Sequence, residues 1–171
     1  IGVSIFNVLN QKFNLNLKDA KYFAGHSLGE YTALVCAGSL TLERAAYLLH
    51  ERGKAMQDSV PLGKGAMTAV LGMTIDEVEK EINLLSKNGV CEIANDNCDG
   101  QVVVSGVKEV IENLNLNLKK KRKKGIILPV SAPFHCSLMQ KALETMAVKI
   151  KNTNFLNPTP SVISNVTAKE E

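Results

Sequence analysis

Residues 22–38, YFAGHSLGEYTALVCAG, predict a strand that turns sharply into a helix. Tyr22-Phe23-Ala24 is interpreted as the end of a buried strand, Glu30 to Ala37 as a helix, and Gly38 as its stop. A Gly-x-Ser-x-Gly turn in this context holds its serine, Ser27, in a strained and exposed position, and its two glycines are expected to allow backbone approaches that a Cβ would block. The helix N-terminus then offers N–H groups to a developing oxyanion. The alternative is an ordinary serine in a glycine-rich turn.

The composition is that of a soluble globular protein, with 45% hydrophobic and 22% charged residues in 171. This length allows one substantial core and a small inserted subdomain. A net charge of +3 is too small to indicate nucleic-acid binding, and no apolar run approaches the roughly 20 residues of a membrane span. There is no signal-peptide pattern, and the four cysteines lack Cys-x-x-Cys spacing. We therefore expect a cytoplasmic protein with free thiols, no zinc site and no membrane contact.

The chain has the features of a fragment. It starts at Ile1 without Met, inside an apolar-periodic run that predicts a helix over Ile1–Phe13. It ends at Glu171, shortly after a strand-like run over Ser161–Val166. A core element is expected to continue beyond each end.

The middle of the chain changes rhythm after the breaker-rich linker Pro61–Gly65. Alternating strands and helices are predicted there, at Ala66–Leu71, Thr74–Lys87, Val90–Ala94, Gln101–Ser105, Val107–Lys123 and Ile126–Val130. This β-α-β-β-α-β order is the ferredoxin-like pattern. We therefore predict a small subdomain over residues 61–125, inserted between two parts of a large subdomain, residues 1–60 and 126–171. A further helix is predicted over about Cys136–Lys151.

A serine nucleophile needs a base within hydrogen-bond reach, and the chain has three histidines. The side chain of His26 is expected to diverge from its neighbour Ser27, and His50 lies in the middle of a predicted helix. His135 follows a proline in a loop that opens a helix, which is where a catalytic base is often presented. The alternative is a histidine with only local hydrogen bonds at a helix start.

Five segments resemble the malonyl-CoA:acyl carrier protein transacylase family. They occur in the family's order and cover nearly the whole chain: Gly25–Leu34, Glu51–Gln57, Gly65–Met67, Gly100–Gly106 and Val130–Met139. The resemblance implies an α/β fold, with an α/β-hydrolase-like large subdomain that carries an inserted ferredoxin-like (βαββαβ) small subdomain.

The resemblance also implies roles for individual residues. Ser27 would be the nucleophile, His135 its general base, and the backbone N–H of Leu28 one half of the oxyanion hole. Asn97 would line the site from the turn that also holds Asn95, and ordinary turn chemistry is the alternative for both. Asp96 and Asp99 replace the more usual apolar and proline residues of that turn.

Arg52 would bind the free carboxylate of the malonyl group, because a planar guanidinium meets a carboxylate in a bidentate pair. The alternative is an exposed helix arginine paired with Glu51 or Asp58. Phe134, before the histidine, would crowd an α-substituent and so favour malonyl over methylmalonyl substrates. The family's oxyanion-hole glutamine and the carbonyl that orients its histidine belong to regions outside this chain.

The implied reaction moves a malonyl group from coenzyme A to the phosphopantetheine thiol of an acyl carrier protein through a seryl ester, for fatty acid biosynthesis. It requires no metal or redox cofactor, and a monomer is the expected state. Two related alternatives are a serine esterase or thioesterase and an acyltransferase domain of a polyketide-type synthase. A third is a nucleic-acid-binding module using Lys119–Lys124, although that run has no aromatic residues for base stacking. The same run could attract an acidic carrier protein or be a solvated helix end.

Overall fold

Helices and strands alternate along residues 1–170, which the computed structural model describes, and this confirms the α/β class. The chain separates into two compact units: residues 1–52 with those from 147 onward, and residues 53–146. The boundaries fall inside helices α3 (Leu42–Gln57) and α6 (Gln140–Lys151). Within the described range no helix combines the length and the apolar character needed to cross a membrane.

The first unit contains a two-stranded parallel sheet and short helices. Besides the start of α3 and the end of α6, its elements are α1 (Gly2–Phe13), β1 (Tyr22–Ala24), α2 (Leu28–Cys36) and β6 (Ser161–Ile163), with a 3₁₀ turn at Leu17–Asp19. Tyr22 pairs with Ser161 and Ala24 with Ile163. Thr41 caps α3 as its residue type suggests, because its Oγ1 accepts a hydrogen bond from the Arg44 N–H at 3.2 Å.

The sheet of the first unit is less buried than the sequence suggested. Val162 is buried with Ala33 and Ala37 of α2, but Tyr22 is 39% exposed, so the prediction of a buried strand before the serine turn is wrong. Among the described residues β1 has one strand neighbour, β6. Strand β6 also ends three residues before the predicted Val166, where the chain turns.

The second unit is built on a four-stranded antiparallel sheet in the order β3-β4-β2-β5. Its elements, besides the end of α3, the start of α6 and 3₁₀ turns at Ser86–Asn88 and Ser137–Met139, are β2 (Gly65–Leu71), α4 (Ile75–Asn83), β3 (Cys91–Cys98), β4 (Gln101–Val107), α5 (Lys108–Lys120) and β5 (Lys124–Ile127). The order of helices and strands from β2 to β5 is the one predicted.

Burial on one face of this sheet forms the main core of the second unit. Val70 and Val104, which are fully buried, pack with Ile111 and Leu114 of helix α5. Helix α4 starts at a capping box, in which Thr74 Oγ1 accepts from the backbone N–H three residues on and the Glu77 carboxylate accepts from the Thr74 N–H.

Strand β5 occupies Lys124–Ile127 instead of the predicted Ile126–Val130. Its ladder with β2 runs from Leu71↔Lys124 to Thr68↔Ile127, and the Leu128 N–H still donates to the Met67 carbonyl at 2.9 Å. The next residue is Pro129, which has no N–H to continue the ladder.

Strand β3 extends to Cys98, four residues beyond the predicted end at Ala94. Asn95 and Asn97 therefore lie on a strand with two register irregularities, and the prediction that they occupy a turn is wrong. The chain reverses after Cys98, with Gly100 at a φ of 75°. At each irregularity β3 has one residue more than its partner β4, as in a β-bulge. The strand therefore continues through its polar residues to Cys98.

Candidate active site

Ser27 stands between β1 and α2 in a strained backbone conformation. Its φ is 52° and its ψ is −104°, outside the regions that a residue with a side chain prefers. Such a conformation costs about 1–3 kcal/mol and persists only where the surroundings fix it. The strained strand–turn–helix geometry predicted for this serine is therefore confirmed.

The two glycines of the turn differ in their need to be glycine. A Cβ on Gly25 would collide with the backbone carbonyl of Gly29 and lie 2.6 Å from the nitrogen of Glu30. A Cβ on Gly29 would meet nothing within 4 Å among the described residues. The expectation of a close backbone approach is right for Gly25 and wrong for Gly29.

The start of α2 presents one backbone donor at the serine. The N–H of Gly29 donates to the His26 carbonyl at 2.8 Å, and that of Glu30 donates to the Ser27 carbonyl at 3.1 Å. Leu28 is the first residue of α2, and the N–H of a first helical residue has no acceptor within the helix. This N–H is placed where a helix dipole favours negative charge.

Arg52 reaches the serine from helix α3. Its Nη2 donates a hydrogen bond to the Oγ of Ser27 at 2.8 Å. Glu51 forms an ion pair of 2.7 Å with Lys149. Arg52 thus has a side-chain partner that is neither Glu51 nor Asp58, the two neighbours named as its alternatives.

Tyr31, one turn into α2, reports on the surroundings of Arg52. Burial raises the pKa of Tyr31, and the positive charge of Arg52 opposes that rise. The Arg52 guanidinium therefore lies close enough to the Tyr31 side chain to affect its ionisation.

Asn165 supports the serine turn from a distant part of the chain, and the sequence alone did not point to it. Its Oδ1 accepts from the Ser27 N–H at 2.6 Å, and its Nδ2 donates to the Gly25 carbonyl at 2.7 Å. Its neighbour Ser164 accepts hydrogen bonds at its Oγ from the N–H groups of two following residues, as in a short turn. The pair Ser-Asn inside an apolar run was the available signal for that turn.

His135 belongs to the second unit, and residues before and after it make contacts within that unit. It is exposed and has a φ of 59°. Before it, Ser131 Oγ donates to the Gln57 side chain at 2.6 Å, and the ring of Pro133 lies where a Cβ on Gly65 would be. His135 lies in a loop between β5 and the 3₁₀ turn at Ser137, as predicted, and the rigidity of this loop stays a prediction.

Glu92 holds the other side of this loop and was also missed. Its carboxylate accepts from the Ser137 N–H at 2.7 Å and from the Ser137 hydroxyl at 2.6 Å. Cys136 donates to the Pro133 carbonyl at 3.1 Å, and burial raises the pKa of its thiol. A raised pKa leaves less of the reactive thiolate near neutral pH.

The remaining predicted residues are also in the second unit. Phe134 is half-buried and packs with Met139 in one hydrophobic cluster and with Met67 in another. Asn97 is exposed on β3, at its second irregularity.

The structure brings Ser27, Leu28 and Arg52 together in the first unit, while His135, Asn97 and Phe134 are parts of the second. His26 and His50 are exposed in the first unit. Across residues 1–170, no group of three or more His, Cys, Asp or Glu side chains is arranged to hold a metal ion.

Comparison with known proteins gives a consistent result. The profile of a family described as "Acyl transferase domain" matches residues 17–171. The malonyl CoA-acyl carrier protein transacylase of Haemophilus influenzae is 41% identical over 171 residues, and that of Bacillus subtilis is 39% identical over 161. The alignments cover 99% and 92% of this chain and 54% and 50% of the relatives, so the chain spans about half the length of the curated relatives it matches.

Solved structures similar to this chain belong to proteins with related names. FabD from Acinetobacter baumannii superposes with a TM-score of 0.94 at 41% identity, covering 99% of this chain and 54% of that one. The malonyl CoA-acyl carrier protein transacylase from Coxiella burnetii gives 0.93 at 37% identity, covering 99% and 53%. A malonyl-transacylase solved in complex with a type II PKS acyl-carrier protein gives 0.93 at 37% identity, covering 99% and 54%.

Proposed function

We propose, since the chain belongs to the acyl transferase domain family, that the protein transfers a malonyl group from coenzyme A to the phosphopantetheine thiol of an acyl carrier protein. Relatives named malonyl CoA-acyl carrier protein transacylase support the substrate and the acceptor. The natural setting is fatty acid biosynthesis in the cytoplasm, with the protein as a monomer. The reaction uses no metal or redox cofactor.

One observation carries the proposal: a guanidinium stands at the hydroxyl of a strained serine, with Arg52 Nη2 2.8 Å from Ser27 Oγ. An acyl group on that oxygen would begin beside the Arg52 guanidinium. A malonyl group ends in a carboxylate, which accepts paired hydrogen bonds from a guanidinium. An esterase for uncharged acyl groups has no use for this cation, so the pair favours an acyl group with a free carboxylate.

In the first half-reaction Ser27 Oγ attacks the thioester carbon of malonyl-CoA. The hydroxyl proton passes to His135, and the carbonyl oxygen becomes an oxyanion that the Leu28 N–H stabilises. The C–S bond then breaks, and the CoA sulfur leaves with the proton from His135. The malonyl group is left as an ester on Ser27.

In the second half-reaction the phosphopantetheine thiol gives its proton to His135 and attacks the ester. The Ser27 oxygen leaves and regains a proton from the histidine, which restores the enzyme. Asn97 and Phe134 line the acyl site in this proposal, and Phe134 disfavours an α-substituent on the acyl chain.

The fold proposal follows the same relationship. Residues 61–125 form a ferredoxin-like insertion, and residues 1–60 and 126–171 are parts of an α/β-hydrolase-like catalytic subdomain. The antiparallel sheet β3-β4-β2-β5 and its two helices support the first half of this proposal.

The test is acylation of the full-length protein by malonyl-CoA, followed by intact mass and peptide mapping. We expect one malonyl group on Ser27 and none in Ser27→Ala. His135→Ala should slow acylation by roughly 10²–10⁴-fold, the usual contribution of a general base. His50→Ala is the matched control, because this exposed histidine of α3 should leave the rate unchanged.

Two outcomes would refute the proposal. One is a malonyl label on another residue while Ser27→Ala still reacts. The other is a Ser27 ester that passes to water as fast in the absence of carrier protein as in its presence, which would identify a hydrolase.

A further inference from the structure

The side chain of Asn165 continues the pairing of β1 with β6 beyond the end of both strands. The parallel register ends at Ala24↔Ile163. Two residues further on, Asn165 stands level with His26, and its amide bonds to the backbone on both sides of that residue, at Gly25 and Ser27. An Asn amide carries one carbonyl and one NH₂, so it reproduces the two hydrogen bonds that a peptide group would make in the ladder.

The orientation of this amide is fixed by its partners. A backbone N–H can only donate and a backbone C=O can only accept, so Oδ1 must face Ser27 and Nδ2 must face Gly25. The two contacts, at 2.6 and 2.7 Å, lie on either side of His26, where the chain leaves strand β1. Asn165 therefore holds the backbone on both sides of His26, including the strained Ser27, from outside the turn.

The contact also decides which backbone donor serves the substrate. With its N–H bonded to Asn165, Ser27 cannot offer that N–H to an oxyanion. The Leu28 N–H, at the first position of α2, is left to do so. A transition state is stabilised best by donors that are already in place, because no reorganisation is then required during the reaction.

We propose that Asn165 is a positioning residue for the nucleophile: it clamps the Gly25–Ser27 turn so that the Ser27 hydroxyl and the Leu28 N–H meet the acyl carbonyl together. The inference rests on the proposed function, since it assigns Ser27 as the acylated residue. Asn165 acts through Ser27 and needs no contact with the substrate.

Three variants of the full-length protein separate the parts of the clamp. Asn165→Ala removes both hydrogen bonds. Asn165→Asp keeps the acceptor for the Ser27 N–H and replaces the donor to Gly25 with a carboxylate oxygen, which repels the carbonyl. Ser164→Ala is the matched control, because it weakens the same turn through the adjacent side chain and leaves the amide in place.

The first readout is single-turnover acylation by malonyl-CoA. We expect Asn165→Ala to lower the maximal acylation rate by roughly 10- to 100-fold, the effect of a small misplacement of reacting groups, with the KM for malonyl-CoA changed by less than about twofold. Ser164→Ala should keep the wild-type rate and KM. Its Tm should fall about as much as the Tm of Asn165→Ala. Equal kinetics in Asn165→Ala and Ser164→Ala, or a loss confined to Tm, would overturn the proposal.

The second readout does not depend on malonyl chemistry. A fluorophosphonate reacts with an activated serine whatever its natural substrate, and its rate of labelling at Ser27 should fall in Asn165→Ala by a similar factor. A wild-type protein that reacts with the fluorophosphonate and not with malonyl-CoA refutes the proposed function, and the ratio of variant to wild type still decides the role of Asn165.

A third readout covers the case in which Asn165→Ala fails to fold or Ser27 does not react. Amide hydrogen exchange followed by NMR should show a protected Ser27 N–H in the wild type and in Asn165→Asp, where the acceptor remains. A Ser27 amide that exchanges freely in the wild-type protein would mean that the clamp does not exist in solution.

Discussion

The parallel pair β1–β6 and the antiparallel pair β2–β4 belong to different units and are held in different ways. Strand β4 buries five consecutive residues, Val102–Gly106, and pairs with β2 over all seven of its positions. Strand β1 has three residues, of which Tyr22 and Ala24 are exposed. The regular ladder and the apolar face stabilise the second unit, whereas in the first unit the sheet is short and burial falls on helical residues such as Ala33 of α2 and Leu48 of α3.

The nucleophile and the core around Leu114 lie in different units. Ser27, with its positive φ, lies at the end of the short sheet, where a side chain, Asn165, takes over from the backbone ladder. A strained nucleophile needs an irregular backbone, and a fully paired sheet does not permit one. A dense core such as that around Leu114 instead resists opening, and its amides are expected to exchange last.

The largest expected effect is on the core of the second unit. Leu114→Ala, at a fully buried position of α5, should lower the free energy of unfolding by about 2–5 kcal/mol, because the surrounding sheet cannot collapse into the cavity. Urea unfolding of the full-length protein measures this value. Leu116→Ala is the control on the same helix, where the side chain is 57% exposed, and it should cost about 0.5 kcal/mol or less. Similar losses for both would contradict the core described above.

The next effect is on the serine turn. Gly25→Ala should lower the rate of serine acylation by about 100-fold, because the new Cβ cannot fit against the backbone of Gly29 and the turn must move. Hydrogen exchange at Val104 in the second unit should not change. Gly29→Ala is the control, since its Cβ meets nothing within 4 Å among the described residues, and it should retain most of the rate. A tolerant Gly25 would show that the turn is less constrained than its geometry implies.

The sequence predicted the regular parts of this chain better than the irregular ones. Periodic apolar residues located helices α4 and α5, and the Gly-x-Ser-x-Gly spacing located the strained serine. Strand ends depended on single hydrogen bonds, such as the one that Pro129 cannot make, and on bulges that carry Asn97 along β3. The partner strand determines where a strand ends or bulges, and the pattern of residues along one strand does not show this.

The candidate site divides in the same way. A motif marked Ser27, and a resemblance suggested Arg52, whose hydrogen bond to the serine spans 25 residues of sequence. Asn165 reaches the serine across 138 residues, and Glu92 reaches Ser137 across 45. Neither contact has a signature in a single sequence, because an amide or carboxylate that supports a turn looks like any polar residue at the end of a strand.

Arg52 tests whether the serine turn also selects the acyl group. Arg52→Ala should reduce the preference for malonyl-CoA over acetyl-CoA, measured as a ratio of kcat/KM values, by roughly one to two powers of ten, since hydrogen bonds to a charged group are worth about 1.5–3 kcal/mol. Arg44→Ala is the matched control on α3, because Arg44 bonds to Thr153 and to the Asn152 carbonyl. The control should change both substrates alike, and equal losses for both in Arg52→Ala would make Arg52 a structural residue.

The smallest effect concerns a buried thiol in the second unit. Burial, followed by the charge of Glu92 and that of Cys136, raises the pKa of Cys91 from 9.0 to about 11. The unfolded chain therefore releases this proton at a lower pH than the folded protein does. The resulting stability is complete below about pH 9 and is lost as the pH rises towards 11, at up to about 1.4 kcal/mol per pH unit.

Urea unfolding at about pH 8 and about pH 10 measures this loss. In Cys91→Ala the free energy of unfolding should fall by about 1 kcal/mol less than in the wild type between these two conditions. Cys98→Ala is the control, because the Cys98 side chain is exposed on the same strand and the wild-type pH dependence should persist. The prediction tests the burial of the second unit's sheet, since burial is the largest cause of the raised pKa of Cys91. Identical pH dependence in Cys91→Ala and in the wild type would mean that water reaches the sheet of the second unit, and that its ladder is no better protected than the short sheet beside Ser27.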